Sequence, residues 1–72
     1  FITVRVRSGN RSSQLIGKKI SEIDLPGESL ITIIKRGGGI VIPRGYTEIM
    51  ENDELFIIGE IKDIEELKEL KN

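Results

Sequence analysis

Two glycine-containing stretches of the sequence have the composition of phosphate-binding loops. In the first, Gly17 and Lys18 supply the Gly-Lys pair of a Walker loop, but Ser12 occupies the position of its first glycine. Lys19 also replaces the Ser or Thr that would hold magnesium. In the second, the three glycines at residues 37–39 follow one predicted strand and lead into another, so no helix N-terminus is available to hold a pyrophosphate. Neither stretch therefore predicts a nucleotide-binding loop.

The side chains that usually carry catalysis or metal ligation are missing or isolated. The sequence has no Cys and no His, which removes thiolate ligands and the commonest acid/base group and is compatible with a reducing cytoplasm. Neighbouring carboxylates such as Asp53 and Glu54 do not converge on one substrate, so we expect them to be solvated surface groups. The serines have no His to activate them. The sequence therefore predicts no catalytic residue, no metal site and no enzymatic activity.

Charge is distributed unevenly along the chain, although the net charge is only −1. Residues 1–45 hold eight Lys and Arg against three Asp and Glu, whereas residues 46–72 hold three against nine. Such asymmetry suits an anionic ligand or a partner surface of opposite sign. Three aromatic residues are too few for a base-stacking platform, and an acidic chain binds duplexes poorly. We therefore expect no nucleic-acid partner.

Residues 29–43 form the centre of the predicted fold, because two β-branched runs separated by glycines predict a β-hairpin. Strand alternation is expected to divide the first run between two faces, with Leu30, Thr32 and Ile34 on one and Ile31 and Ile33 on the other. Because both sets are mainly apolar, both faces of this strand should be covered. A chain of this length can cover only one face with its own helices, so we expect a homodimer.

Hydropathy patterns outside the hairpin predict four further segments. These are a strand over residues 1–7, a short helix over residues 18–24, a strand over residues 55–58 and an amphipathic helix from residue 62 onward. Residues 44–52 are predicted to be a loop with a short extended piece, and Asp63 with Glu66 forms a capping-box pattern. The order is β-α-β-β-β-α, an α+β domain with a mainly antiparallel sheet and helices packed on one face.

Residues 1–72 are expected to form a single domain. At this length one hydrophobic core gives only marginal stability. The absence of a starting Met, with Phe1 inside a predicted strand, favours a domain excised from a longer chain. No apolar run approaches the roughly 20 residues that span a bilayer, and the N-terminus lacks the basic-then-apolar order of a signal peptide.

Residues 39–44 resemble the glycine, Ile-Val-Ile-Pro and basic signature of swapped-hairpin AbrB-type DNA-binding domains. Those domains continue with a basic helix, whereas here Gly45, Glu48 and Glu51 follow. A DNA-binding domain is therefore the alternative hypothesis for the function.

Six short motifs in order resemble the TrkA carboxy-terminal domain, also called the RCK C-terminal domain. They are Leu-Ile-Gly-Lys-Lys-Ile at 15–20, Glu-Ile-Asp-Leu-Pro at 22–26, Ile-Ile-Lys-Arg-Gly at 33–37, Ile-Pro at 42–43, Asn-Asp-Glu-Leu at 52–55 and Ile-Gly at 58–59. The family usually has Gly where this sequence has Asn52, and both residues accept positive φ. The resemblance covers nearly the whole chain.

The resemblance implies a non-enzymatic, dimerising regulatory domain of potassium channels, potassium uptake systems or other cation transporters. Its partner would be a membrane cation channel or transporter subunit, and a Rossmann-type nucleotide-binding domain would belong to the parent chain. The location implied is the cytoplasm, at the inner face of the membrane through the parent protein. Some members bind cyclic di-AMP at the dimer interface.

Five residues are the candidate ligand contacts if this chain binds cyclic di-AMP or another small anion. They are Leu15, Ile16, Ile31, Arg36 and Pro43. The apolar members would form walls for an aromatic base at a dimer contact, and Arg36 would supply positive charge for a phosphate. Leu15, Ile16 and Ile31 also have the alternative role of core residues, as apolar side chains usually do.

Overall fold

Four strands form one antiparallel sheet in the computed structural model, which describes all residues from Phe1 to Asn72. The strands are β1 (Ile2–Arg5), β2 (Leu30–Arg36), β3 (Gly39–Val41) and β4 (Glu54–Ile58), in the spatial order β1-β4-β2-β3. Helix α1 (Ile61–Leu67) follows the sheet, and 3₁₀ helices occupy Arg11–Leu15, Ile20–Glu22 and Lys68–Lys71. The predicted α+β class is confirmed. No helix has the length and apolar character needed to cross a bilayer.

The β2-β3 hairpin is confirmed, with a turn of two glycines. Gly37 and Gly38 have φ of 54° and 82°, and Arg36 pairs with Gly39 on either side of them. Two successive positive φ values define the turn that matches the twist of the flanking strands. Glycine adopts this conformation without a Cβ clash, which explains why the turn falls within the glycine run.

The predicted alternation along β2 is wrong after Ile31, because the strand contains a β-bulge. The register shifts between Ile31 and Ile33, and Thr32 is the additional residue. Its hydroxyl donates a hydrogen bond of 3.1 Å to the backbone oxygen of Phe56. A bulge offsets the faces by one residue, so Ile31 and Ile34 both point into the core.

The α-helix predicted over residues 18–24 is wrong, and only the 3₁₀ turn Ile20–Glu22 is found there. The backbone before it is extended and pairs with the segment that follows β3. Gly17 N donates to Ile49 O at 2.8 Å, and Ile49 N donates to Lys18 O at 2.8 Å. The second bond takes the Lys18 oxygen, which an α-helix over residues 18–24 would use as its first acceptor. Both bonds also confirm the short extended piece within residues 44–52.

Helix α1 begins without the predicted capping box, since no side chain caps its N-terminus. Asp63 is buried, and it accepts a hydrogen bond of 3.4 Å from Glu28 N in the turn before β2. A Cβ built on Gly27, whose φ is 55°, would lie 2.5 Å from Asp63 Oδ1. Asp63 therefore attaches the helix to this turn instead of capping its own backbone.

The hydrophobic core lies on one face of the sheet, beneath α1 and the 3₁₀ helices. Its ten buried members are Ile2, Val4, Val6, Leu15, Ile31, Ile34, Ile49, Leu55, Ile57 and Leu67. The opposite surface, called the outer face below, carries the alternate residues of the strands. These are Thr3, Arg5, Leu30, Ile33, Lys35, Ile40, Glu54, Phe56 and Ile58. Helices therefore cover one face only, as predicted.

Candidate functional site

An apolar patch occupies the half of the outer face formed by the start of β2 and the end of β4. It consists of two cross-strand pairs, Leu30 with Ile58 and Ile33 with Phe56. Leu30 is 58% exposed and Ile58 48% exposed, whereas Ile33 and Phe56 are half-buried. Ile40 on β3 is 62% exposed, but it pairs with Lys35 and so lies in the other half of the outer face. A contiguous apolar patch on a small chain is typical of an interaction surface.

The other half of the outer face, nearer the hairpin turn, is charged. Arg5, Glu54 and Lys35 lie in one row across β1, β4 and β2. Arg5 Nη2 is 4.0 Å from Glu54 Oε1, and the Lys35 ammonium lies 5.4 Å from the centre of the Phe56 ring. The ring therefore holds the ammonium group over the outer face by a cation-π contact.

Arg36 forms a bidentate ion pair with Asp53. Its Nε and Nη2 each donate a hydrogen bond of 2.8 Å to a carboxylate oxygen, and Nη2 also donates to Glu48 O at 2.8 Å. The hydrogen bonds to Asp53 raise the pKa of the Arg36 guanidinium, and the negative charges of Asp53 and Glu48 act in the same direction against desolvation. The guanidinium therefore stays charged and joins the end of β2 to the loop before β4.

Asp53 is not the solvated surface group that its sequence context predicts, since its side chain is only 1% exposed. Met50 N donates a further hydrogen bond of 2.9 Å to its carboxylate. Asn52 holds the turn with a φ of 75°, and Val6 N donates to Asp53 O at 2.8 Å. This turn directs the carboxylate inward, where Arg36 meets it.

The five predicted ligand contacts are not brought together within one chain. Leu15 and Ile31 are buried members of the core, which confirms the core role for these two. Ile16 is 38% exposed, Pro43 is half-buried, and Arg36 is engaged by Asp53. No cavity of the structure is lined by more than one of the five. Their joint role at a dimer contact stays a prediction.

The class of molecule follows from these features. An antiparallel α+β domain with one open face, part apolar and part charged, is a small interaction domain. Residues 4–72 match the TrkA-C domain family, and the chain belongs to that family. The resemblance stated from the motifs is confirmed, and the match gives no support to the DNA-binding alternative.

Two individual proteins resemble this chain, one in sequence and one in fold. The Trk system potassium uptake protein TrkA homolog of Archaeoglobus fulgidus is 35% identical over 60 residues, which are 83% of this chain and 14% of that protein. The chain thus spans about one seventh of the length of this relative. A solved structure of an RCK domain with cda superimposes with a TM-score of 0.80 at 20% identity, covering 96% of this chain and 94% of the other. That likeness supports the fold.

Proposed function

We propose that this chain is a cytoplasmic regulatory domain of a potassium transport system. The TrkA-C family match over residues 4–72 carries the proposal. The Archaeoglobus fulgidus relative is a Trk system potassium uptake protein, which names the kind of system. On this proposal the partners are a membrane cation channel or transporter subunit and a Rossmann-type nucleotide-binding domain of a longer parent chain.

The domain acts by binding and not by catalysis. Regulation of this kind needs two states of an assembly and a ligand or partner that prefers one of them. The apolar patch provides the assembly contact, and a ligand that binds the assembled form more tightly would favour that form. The difference between the affinities of the ligand for the two states sets how far the equilibrium between them shifts.

A second copy of this chain is the proposed occupant of the apolar patch. A stable protein interface buries about 800 Å² on each partner, a modest share of the 4686 Å² accessible surface of this chain. A two-fold axis brings Leu30, Ile33, Phe56 and Ile58 of both copies together, because the same patch then serves both sides. Two sheets packed through apolar faces are an established way to form a common core.

Cyclic di-AMP is the proposed ligand of the assembled form. Ile16 is partly exposed and Pro43 is half-buried, so these two remain accessible for apolar contact with a base. Leu15 and Ile31 support them from the core. Because Arg36 already binds Asp53, it would contact a phosphate only through the part of its guanidinium that is exposed.

The test is a chimera of the Archaeoglobus fulgidus relative in which this chain replaces the matching segment. Rubidium uptake into liposomes holding the transporter is measured with and without cyclic di-AMP, and a deletion of the segment is the control. We expect the chimera to differ from the deletion by about fivefold or more, the lower end of typical allosteric couplings. Uptake equal to that of the deletion would contradict the regulatory role. Uptake that differs from that of the deletion but does not respond to cyclic di-AMP would contradict the proposed ligand and leave the regulatory role in place.

A further inference from the structure

We propose that the charged half of the outer face binds the phosphate groups of a soluble diphosphate or triphosphate. The site consists of Arg5, Lys35 and the glycine turn at residues 37–39. It lies at the opposite end of β2 and β4 from the apolar patch, so it requires only one chain. The site needs no residue of a second chain and no cyclic di-AMP.

Two adjoining cavities in the charged half of the outer face are lined mainly by polar and cationic residues. One, of about 460 Å³, is lined by nine residues of which Ile40 alone is hydrophobic. The other, of about 240 Å³, has no hydrophobic lining and shares Arg5 and Glu54 with the first. The cationic residues of the two linings are Arg5, Arg7, Lys35, Arg36 and Lys71, against the single carboxylate of Glu54. In a chain with 11 Lys and Arg and 12 Asp and Glu, this is a strong local excess of positive charge.

The cations differ in how far they are already neutralised. The charge of Arg36 is largely neutralised by the buried Asp53, so Arg36 is not a free cation for a ligand. Lys35 has no ion pair, and its ammonium lies over Phe56 at the edge of the cavity. Arg5 has one ion contact, of 4.0 Å with Glu54, and its Nη1 also donates a hydrogen bond of 3.1 Å to Asn52 O. Of the cations that line the larger cavity, Lys35 and Arg5 are therefore the ones available to an anion, and Arg7 and Lys71 add unpaired charge in the smaller cavity.

The register sets the spacing of these two cations. Arg5 and Lys35 flank Glu54 on neighbouring strands, and strands lie about 4.8 Å apart, so the two backbones are about 10 Å apart. A diphosphate spreads its charge over several oxygens and can accept hydrogen bonds from both long side chains above Glu54. A small anion with a single charge has too few oxygens to accept hydrogen bonds from Arg5 and Lys35 at the same time.

The glycine turn makes one wall of the site accessible. A Cβ built on Gly37 or Gly38 would meet no atom within 4 Å, so the backbone there is open to a ligand. The volume of the larger cavity lies within the range of small-molecule sites, roughly 300–1,000 Å³. Its lining lacks apolar walls for a base or peptide, which favours the phosphate group itself as the recognised element.

The experiment titrates the whole chain with inorganic pyrophosphate and follows backbone amide chemical shifts. We expect shifts at Arg5, Lys35, residues 37–39 and Asn52 at millimolar pyrophosphate. Lys35→Gln should weaken binding about tenfold or more, the effect of losing a hydrogen bond to a charged group. Glu54→Gln should strengthen binding, because it removes the only carboxylate of the site. Lys62→Gln is the matched control, since it makes the same charge change on α1 and should leave the affinity unchanged.

Three results would overturn the proposal. The first is an absence of shifts at millimolar pyrophosphate, and the second is an equal loss of affinity in Lys35→Gln and Lys62→Gln. The third concerns the source of the phosphate and uses phosphatidylglycerol vesicles. Cosedimentation of the chain with these vesicles, abolished by Lys35→Gln, would assign the phosphate to a lipid headgroup and reject a soluble ligand.

Discussion

The ion pairs of this chain divide into exposed pairs and one that is largely buried. Arg11 and Glu69 meet at 2.8 Å with both side chains more than half exposed. Arg36 and Asp53 meet at the same distance, with exposed fractions of 32% and 1%. Asp53 is separated from Arg36 by 17 positions in the chain, so no local pattern in the sequence reveals the partnership. The acidic neighbourhood of Asp53 instead predicts a surface group, and only the turn at Asn52 explains its burial.

Replacing each arginine by methionine measures this difference in stability. Arg36→Met leaves the Asp53 carboxylate buried with a single hydrogen bond from Met50 N, so we expect a loss of about 2–4 kcal/mol in the free energy of unfolding. Arg11→Met removes a solvated pair and should cost less than about 1 kcal/mol. Urea denaturation of both variants provides the measurement. Equal losses would mean that Asp53 gains its stabilisation elsewhere.

Elements set by local chemistry could be predicted from the sequence, and elements set by distant contacts could not. The glycines at residues 37–39 dictate a turn, and the apolar alternation of residues 2–6 dictates a strand, so both were predictable. The segment at residues 18–24 has helical spacing, but hydrogen bonds from residues 47–49 draw its start into an extended conformation. The bulge at Thr32 likewise depends on its pairing with β4.

Substitutions in the hairpin turn test the role of its backbone conformation. Gly38→Ala places a Cβ at a φ of 82°, which should destabilise the chain by about 1–2 kcal/mol. Gly37→Asn is the matched control, because Asn followed by Gly is preferred in this turn and should change stability by less than about 0.5 kcal/mol. Thermal denaturation followed by circular dichroism compares the two. A milder effect for Gly38→Ala than for Gly37→Asn would contradict the assigned turn.

The whole molecule has a core on one side of its sheet and an uncovered apolar patch on the other. Only 13 of the 72 residues are buried, which is a small core for a folded chain. Covering Leu30, Ile33, Phe56 and Ile58 would add a second layer of burial without lengthening the chain. The apolar residues on both faces of β2 predict from the sequence that the second face needs a cover. Strict alternation assigns some of these residues to the wrong face, because it does not include the bulge. Dimerisation through the outer face is therefore the central claim.

Sedimentation equilibrium at micromolar concentrations tests that claim most directly, with two isoleucine-to-lysine variants. Ile58 lies in the apolar patch, and Ile61 is an 83% exposed residue of α1 that lies outside it. We predict that the wild type and Ile61→Lys sediment at twice the chain mass of 8.1 kDa. Ile58→Lys should sediment at the chain mass with an unchanged circular dichroism spectrum, since an interface cannot bury an unpaired ammonium cheaply. A monomeric wild type, or a dimeric Ile58→Lys, would contradict the account.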